Sequence, residues 1–210
     1  MTQFSILALS GSPSSTSKTA RVAEYLLDKV AGEDLTARHI RLRDLPAEAL
    51  LRGDISAPEI ADAIKAVENA RGIVIATPTY KAAYSGLLKT FLDILPQFGF
   101  AGKVVLPCAT GGSLAHVLAL DYALRPVLQS MGARQIVQSL FVPETDVRIE
   151  NDELFVEGAT GAILNEAAYH FRAALGRESA HDLLGHPCPP RPCATLEANS
   201  GRPAPTARQM

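Results

Sequence analysis

The chain has 210 residues, 47% hydrophobic and 20% charged, with 20 basic against 22 acidic side chains and a formal net charge of −2. That much apolar side chain offsets the entropy of chain ordering and excludes a collagenous or wholly disordered chain. A near-balanced charge without a basic block excludes nucleic acid as the main partner. No run approaches the roughly 20 apolar residues that span a bilayer, and Met1–Ile6 lacks the basic start of a signal peptide, so a cytoplasmic chain that does not engage membranes is expected. Cys108, Cys188 and Cys193 are too few for a disulfide framework.

Phe4–Leu9 is a short apolar run stopped by Ser10-Gly11-Ser12-Pro13, the pattern of a buried strand and a turn. From Ser17 to Val30 apolar residues recur at helical spacing (Ala20, Val22, Ala23, Leu26, Leu27, Val30). Ala37–Leu42 is a second strand, less apolar and so nearer a sheet edge; Pro58–Asn69 is a helix with Ile60, Ala61, Ile64 and Val67 on one face. Gly72–Ala76 is the clearest buried strand, ended by Thr77-Pro78-Thr79-Tyr80. A helix over Ser85–Leu95, a strand over Lys103–Ala109 and a Gly111-Gly112 turn follow. A long helix over Leu114–Met131, a fifth strand over Gln135–Leu140 and a last helix over Gly158–Leu175 complete the pattern.

The composition then changes. Residues 177–210 hold six of the 14 prolines and no aromatic residue, and predict a Pro-rich, disordered tail behind a globular unit over 1–176. His181, His186, Cys188 and Cys193 lie in this tail, but no second Cys pair accompanies Cys188 and Cys193, and no metal site is expected.

Strands apolar on both faces and separated by amphipathic helices make an α/β protein: a parallel sheet covered on both sides. Five of them fit a flavodoxin-like three-layer sandwich of strand order 2-1-3-4-5, whose ligand crevice lies at the carboxyl ends of the strands. The loops over Ser10–Ser17, Thr77–Ser85 and Thr110–Ser113 are therefore expected to converge.

The first loop is dense in hydroxyls and opens into a helix, whose unpaired N–H groups and positive dipole end suit a phosphate. Neither Gly-x-x-x-x-Gly-Lys-Ser/Thr nor Gly-x-Gly-x-x-Gly is present, which disfavours a nucleoside triphosphatase or a Rossmann dinucleotide site. In the second loop Pro78 turns the chain, Tyr80 and Tyr84 offer a flat wall, and Ser85 and Gly86 admit close approach. In the third, Gly111 and Gly112 expose backbone N–H groups without a Cβ in the way. A planar, phosphorylated heterocycle suits this combination. Lacking tryptophan, the chain must draw any stacking ring from Tyr or Phe.

Ser10-Gly11-Ser12-Pro13, then Pro78 to Lys89, then Ala109-Thr110-Gly111-Gly112, resemble the NADPH-dependent FMN reductase family, and Ala115–Leu128 resembles its branch that supplies reduced flavin to alkanesulfonate monooxygenases. The resemblance covers about residues 4–175. It implies that Ser10, Ser12, Ser17, Lys18 and Thr19 grip the FMN phosphate. Pro78, Thr79, Tyr80 and Tyr84 would flank the ring and ribityl chain, and Gly111, Gly112 and Ser113 would meet its polar edge. It further implies NADPH as hydride donor, reduced FMN passing to a flavin-dependent monooxygenase of sulfur assimilation, and a homo-oligomer through the 114–131 helix. The family pattern often has Arg within the first loop, where this chain has Ser14-Ser15-Thr16.

Pro126 lies inside the 114–131 segment, where it removes an N–H and crowds the Tyr122 carbonyl at a cost of about 3 kcal/mol. Widening the helix into a π-bulge around Asp121-Tyr122 relieves the clash, with a plain proline kink as the alternative. The resemblance places Tyr122 at a subunit interface beside the flavin, as a gating residue for reversible binding. No Gly-x-Ser-x-Gly, His-Glu-x-x-His or Cys-x-x-Cys occurs; Cys108 reads as core, and Lys18, Lys81 and Arg125 are candidate partners of the NADPH 2′-phosphate. No catalytic side chain is expected, because hydride transfer belongs to the cofactors. The competing readings are a quinone, azo or chromate reductase with tightly held FMN, and a flavodoxin-like electron carrier.

Overall fold

A computed structural model of the chain describes residues 5–32, 35–151 and 153–176. Phe4 and the tail from 177 onward, with its His and Cys residues, lie outside the described residues.

The first strand, β1 (Ser5–Ser10), is buried along almost its whole length, so it must lie inside a sheet covered on both faces. Helix α1 (Lys18–Ala31) follows, capped by Ser17, whose Oγ accepts the Ala20 N–H at 3.0 Å. Its buried stripe is Val22, Ala23, Leu26, Leu27 and Val30. At its far end Arg172 donates to the carbonyls of Val30 and Ala31, satisfying acceptors that a helix C-terminus leaves open.

Strand β2 (Thr36–Arg41) is mostly exposed or half-buried, as an edge strand should be. Two short elements absent from the sequence reading follow, a 3₁₀ turn over Leu42–Asp44 and helix α2 (Ala47–Arg52). Helix α3 (Pro58–Asn69) leads into β3 (Ala70–Tyr80), which runs four residues further than the expected end at Ala76. The extension is held by parallel pairing of Thr77 and Pro78 with Ala109 and Thr110. Strand β3 turns back through Lys81 and Ala82 into the two-residue β4 (Ala83–Tyr84). Both turn residues have positive φ, 50° and 62°, a conformation unfavourable for side chains with a Cβ, so this tip stores strain of about 1 kcal/mol or more per residue.

Helix α4 (Gly86–Asp93), β5 (Val104–Gly111), α5 (Arg125–Ser130), β6 (Gln135–Ile136), β7 (Leu140–Pro143), β8 (Val147–Glu150), β9 (Glu153–Val156) and α6 (Gly158–Leu175) complete the chain. The main sheet runs β2-β1-β3-β5-β6, with β7 also on β5 and β4 on β3. This is the flavodoxin-like order expected, with three corrections. The fifth strand is split into β6 and β7 around 137–139; β4 adds an antiparallel stub; and β8–β9 form a separate antiparallel hairpin, so the main sheet has seven strands in place of five.

The sheet separates two cores. One face packs α1 and α6 over Ile6, Ala8, Val74, Leu106 and Phe171. The other packs α3, α4 and the region around Leu120–Leu128 over Leu7, Leu9, Ile73, Ile75 and Phe91. Among the described residues no helix is long and apolar enough to cross a membrane.

The single helix expected over 114–131 is corrected to three pieces: a 3₁₀ turn (Leu114–His116), a π-helix (Leu120–Leu124) and α5. The Arg125 N–H reaches the Leu120 carbonyl, five residues back, and Pro126 falls in the first turn of α5, where its missing N–H costs least. The widening expected around Asp121-Tyr122 is thus present and resolves the proline clash. It is tied to the break in the fifth strand: Arg125 Nε donates to Asp121 Oδ1 at 3.0 Å, Arg125 Nη2 donates to Ser139 Oγ at 3.0 Å, and Ser139 Oγ donates to Asp121 Oδ1 at 3.1 Å.

Candidate functional site

Because every long strand is parallel, the loops after β1, β2, β3 and β5 leave the same edge of the sheet. Their junctions are short and buried. The Gly11 N–H donates to the Ala76 carbonyl at 2.8 Å, and the Ser85 hydroxyl donates to the Gly11 carbonyl at 2.6 Å. Ser85 also caps α4, its Oγ accepting the Leu88 N–H at 3.1 Å, and its own N–H donates to Thr77 Oγ1 at 2.9 Å. The loops after β1 and β3 are therefore locked together through one serine. A Cβ at Gly11 would lie 2.8 Å from both Leu88 Cβ and Ser85 Oγ, so only glycine fits.

The loop after β5 joins through Thr110, whose Oγ1 lies 2.6 Å from Thr19 Oγ1 in a buried pair. Gly111 packs close to Phe141 and to Thr79, where an added Cβ would stand 2.9 Å from Phe141 Cζ and 3.4 Å from Thr79 Cβ. At Gly112 and Gly86, by contrast, an added Cβ would meet nothing within 4 Å. The glycines beneath the junction are crowded, and these two face open space.

The first loop folds on its own hydroxyls. Ser12 Oγ accepts the Ser14 N–H at 3.3 Å, and Ser14 Oγ accepts the Thr16 N–H at 3.2 Å. Pro13, Ser14, Ser15 and Thr16 are exposed at the N-terminus of α1. Such a hydroxyl-lined helix start is suited to a phosphate. Tyr80, at the end of β3, is 49% exposed, and Thr79 is half-buried. These donors, with the exposed Gly112 and Ser113, fit a flat ring carrying a phosphorylated tail.

The residues expected at the site differ in their surroundings. Ser12, Pro78, Thr79, Tyr80, Gly111, Gly112 and Ser113 belong to the joined loops. Ser10 is buried and its Oγ sits 2.9 Å from His39 Nε2; Thr19 is committed to Thr110. Ser17 acts as helix cap, and Lys18 Nζ donates to the Glu144 carbonyl at 2.6 Å. Tyr84 is half-buried against the α4-side core, where burial pushes its phenol above the ordinary range. Of the candidate cations for the NADPH 2′-phosphate, Arg125 is bound within the π-helix network. Cys108 is fully buried and burial pushes its thiol up to about 12, so it is a core residue and no nucleophile.

Sequence reasoning missed two features, both after or on β2. Arg43 reaches back to donate to the Ser14 carbonyl, bringing a guanidinium to a loop that lacks the arginine common in the family. Beneath the loop, His39 bridges Ser10 and Glu24, with His39 Nδ1 3.2 Å from Glu24 Oε1. Arg41 and Arg21 both hydrogen-bond Glu24, the latter at 2.8 Å. Burial opposes ionisation of Glu24, but these hydrogen bonds outweigh it and hold the carboxyl below its usual range. The same rule that pointed to the loops after strands one, three and four applies to the loop after strand two, and would have found Arg43.

The sequence model of the family described as NADPH-dependent FMN reductase matches residues 4–146. An Escherichia coli (strain K12) protein named FMN reductase (NADPH) is 42% identical over 142 residues, 68% of this chain and 74% of its own length. A Pseudomonas putida (strain KT2440) protein of the same name is 38% identical over 85% of this chain and 84% of its own. The solved apo structure of an NADH:FMN oxidoreductase (EMOB) is 53% identical, covers 89% of this chain and 97% of that one, and superposes with a TM-score of 0.80.

Replacing Gly11 with Ala is expected to destabilise the fold by about 1–3 kcal/mol through overpacking against Leu88 and Ser85. Replacing Gly112 is expected to stay within about 0.5 kcal/mol of the parent. Denaturant unfolding of the two variants measures the contrast, and equal losses would contradict the geometry described.

Proposed function

Given that the chain belongs to the NADPH-dependent FMN reductase family, we propose that its three joined loops are the place where FMN is held and reduced. The chain is an NAD(P)H-dependent FMN reductase. The observation that carries the assignment of the site is the Gly11–Ser85 junction, which brings the hydroxyl-rich helix start and the Tyr80 hairpin to one rim.

Bound there, FMN would supply N5 as the acceptor of a hydride from C4 of the nicotinamide. The chain's own residues supply placement. Loop one, with Ser12, Ser14, Ser15 and Thr16 at the start of α1, holds the phosphate; Arg43 supplies the cation; Pro78, Thr79 and Tyr80 flank the ring; and the open Gly112-Ser113 segment, carried on the packed Gly111, lets backbone donors meet its polar edge. Hydride transfer of this kind needs no side-chain nucleophile or general acid.

NADPH is the proposed donor, as in the names of the Escherichia coli and Pseudomonas putida relatives; the EMOB structure carries NADH in its name, which makes the donor preference a matter for measurement. Reduced FMN then leaves for a flavin-dependent monooxygenase. Leu114, Val117, Leu118 and Tyr122 are exposed along the broken helix next to Ser113, with Tyr122 78% exposed on the π-helix. This apolar run supports a homo-oligomer through residues 114–131, with Tyr122 at the contact and near the flavin.

Anaerobic oxidation of NADPH and NADH with FMN, FAD or riboflavin tests the site. FMN is expected to exceed riboflavin, and Arg43→Gln is expected to weaken FMN binding about tenfold while leaving riboflavin unchanged, the loss of one charged contact to phosphate. Riboflavin used as well as FMN would overturn the phosphate assignment. Deleting Tyr122 is expected to shift sedimentation toward the monomer and slow flavin release; an unaltered assembly with unaltered release would remove Tyr122 from the account.

A further inference from the structure

The bridge beneath loop one has no part in the hydride step. Ser10 ends β1, immediately before Gly11, and is 1% exposed. Its Oγ faces His39 Nε2 at 2.9 Å, and His39 Nδ1 faces the Glu24 carboxylate at 3.2 Å, with the imidazole side chain 10% exposed. The three residues come from β1, β2 and α1, so the contact ties the start of the loop to both neighbouring elements. The charged groups around the ring are Glu24 and Arg21 on α1, Arg41 on β2, and Arg43 just after it.

The protonation state of the ring fixes the direction of the Ser10 hydroxyl. With Glu24 ionised, a neutral His39 keeps its proton on Nδ1, toward the carboxylate, and Nε2 is an acceptor. Ser10 must then spend its O–H on Nε2 and can present only lone pairs to the loop. When His39 is an imidazolium, Nε2–H donates to Ser10 Oγ and the Ser10 O–H is released. An anion above the loop favours this second state twice, through the freed donor and through the added positive charge.

We propose that His39 is a positioning residue for flavin binding: FMN phosphate at loop one draws a proton onto His39, which turns the Ser10 hydroxyl from the imidazole to the phosphate. The inference rests on loop one being the phosphate site. In the free protein burial holds His39 below the ordinary imidazole range, with Glu24 opposing that effect and Arg41 and Arg43 adding to it. Without ligand the ring is therefore neutral near pH 7. Because the bound state has the higher affinity for the proton, the gain in FMN affinity is complete below the free-state pKa and is lost as pH rises through the bound-state pKa.

An NMR titration of the full chain reads this directly, with the His39 signal identified by its loss in His39→Gln. The titration is run without flavin, with FMN and with riboflavin. FMN is expected to raise the His39 pKa by about one, corresponding to about tenfold tighter binding of FMN to the imidazolium form, and riboflavin to leave it in place. The phosphate's own protonation near pH 6 weakens binding on acidification in parent and variant alike. The parent is therefore expected to lose less FMN affinity between pH 8 and 6 than His39→Gln. FMN binding more tightly than riboflavin, with the His39 pKa unmoved, would overturn the role of His39 and leave the phosphate site standing. FMN and riboflavin binding equally would overturn both.

Discussion

Gly11 leaves β1 with its N–H on the Ala76 carbonyl and its own carbonyl under the Ser85 hydroxyl, at a distance from Leu88 that admits no side chain. Everything at the carboxyl edge of the sheet is arranged around that close approach. It fixes the entry of the first loop against α4, and Ser85, capping α4 and held to Thr77, transmits the position of β3 to the same point. The Thr19–Thr110 hydroxyl pair performs the equivalent service for β5. Each link is a buried polar contact and is costly to break, because the freed partner would be left without water. The rim is thereby fixed by the chain's own contacts, as the proposed stacking of a flat ring would require.

The segment over Leu120–Leu128, on the same face of the sheet as α4, shows how a local conflict is absorbed. Pro126 is incompatible with an uninterrupted α-helix, and the chain answers with a π-helix at Leu120–Leu124. The same segment needs the Asp121–Arg125–Ser139 contacts, and Ser139 lies in the gap between β6 and β7. Helix widening and strand interruption are one feature. The exposed Leu118 and Tyr122 are carried on this irregular backbone.

The order of the layers was legible because parallel strands buried on both faces are written as continuous apolar runs, such as Gly72–Ala76, and their helices as stripes, such as Val22–Val30. The proline inside an apolar stretch disclosed the π-helix. Short elements were not legible: α2 has six residues, too few for a period to show, and β4 has two. The β8–β9 hairpin carries a signal in the alternation through Val147-Arg148-Ile149-Glu150 and in the turn-forming Asn151 at φ 51°, but at four residues a strand the alternation is too short to stand out. At the site, the backbone was legible and the hydroxyls were not. Ser10 and Thr19 sit where a phosphate-binding loop would place them, yet their partners, His39 and Thr110, are 29 and 91 residues away in sequence. Arg43 approaches Ser14 across a similar separation. Which way a hydroxyl turns is decided by such distant neighbours, and no local pattern records it.

One crevice, assembled from three separate loops, is proposed to take up FMN, and backbone hydrogen exchange with and without saturating FMN decides the matter. Joint protection is expected of the amides over 11–18, 79–86 and 110–113, with the β8–β9 hairpin unaffected. Protection confined to a single loop, or appearing instead on a different edge of the sheet, would contradict it.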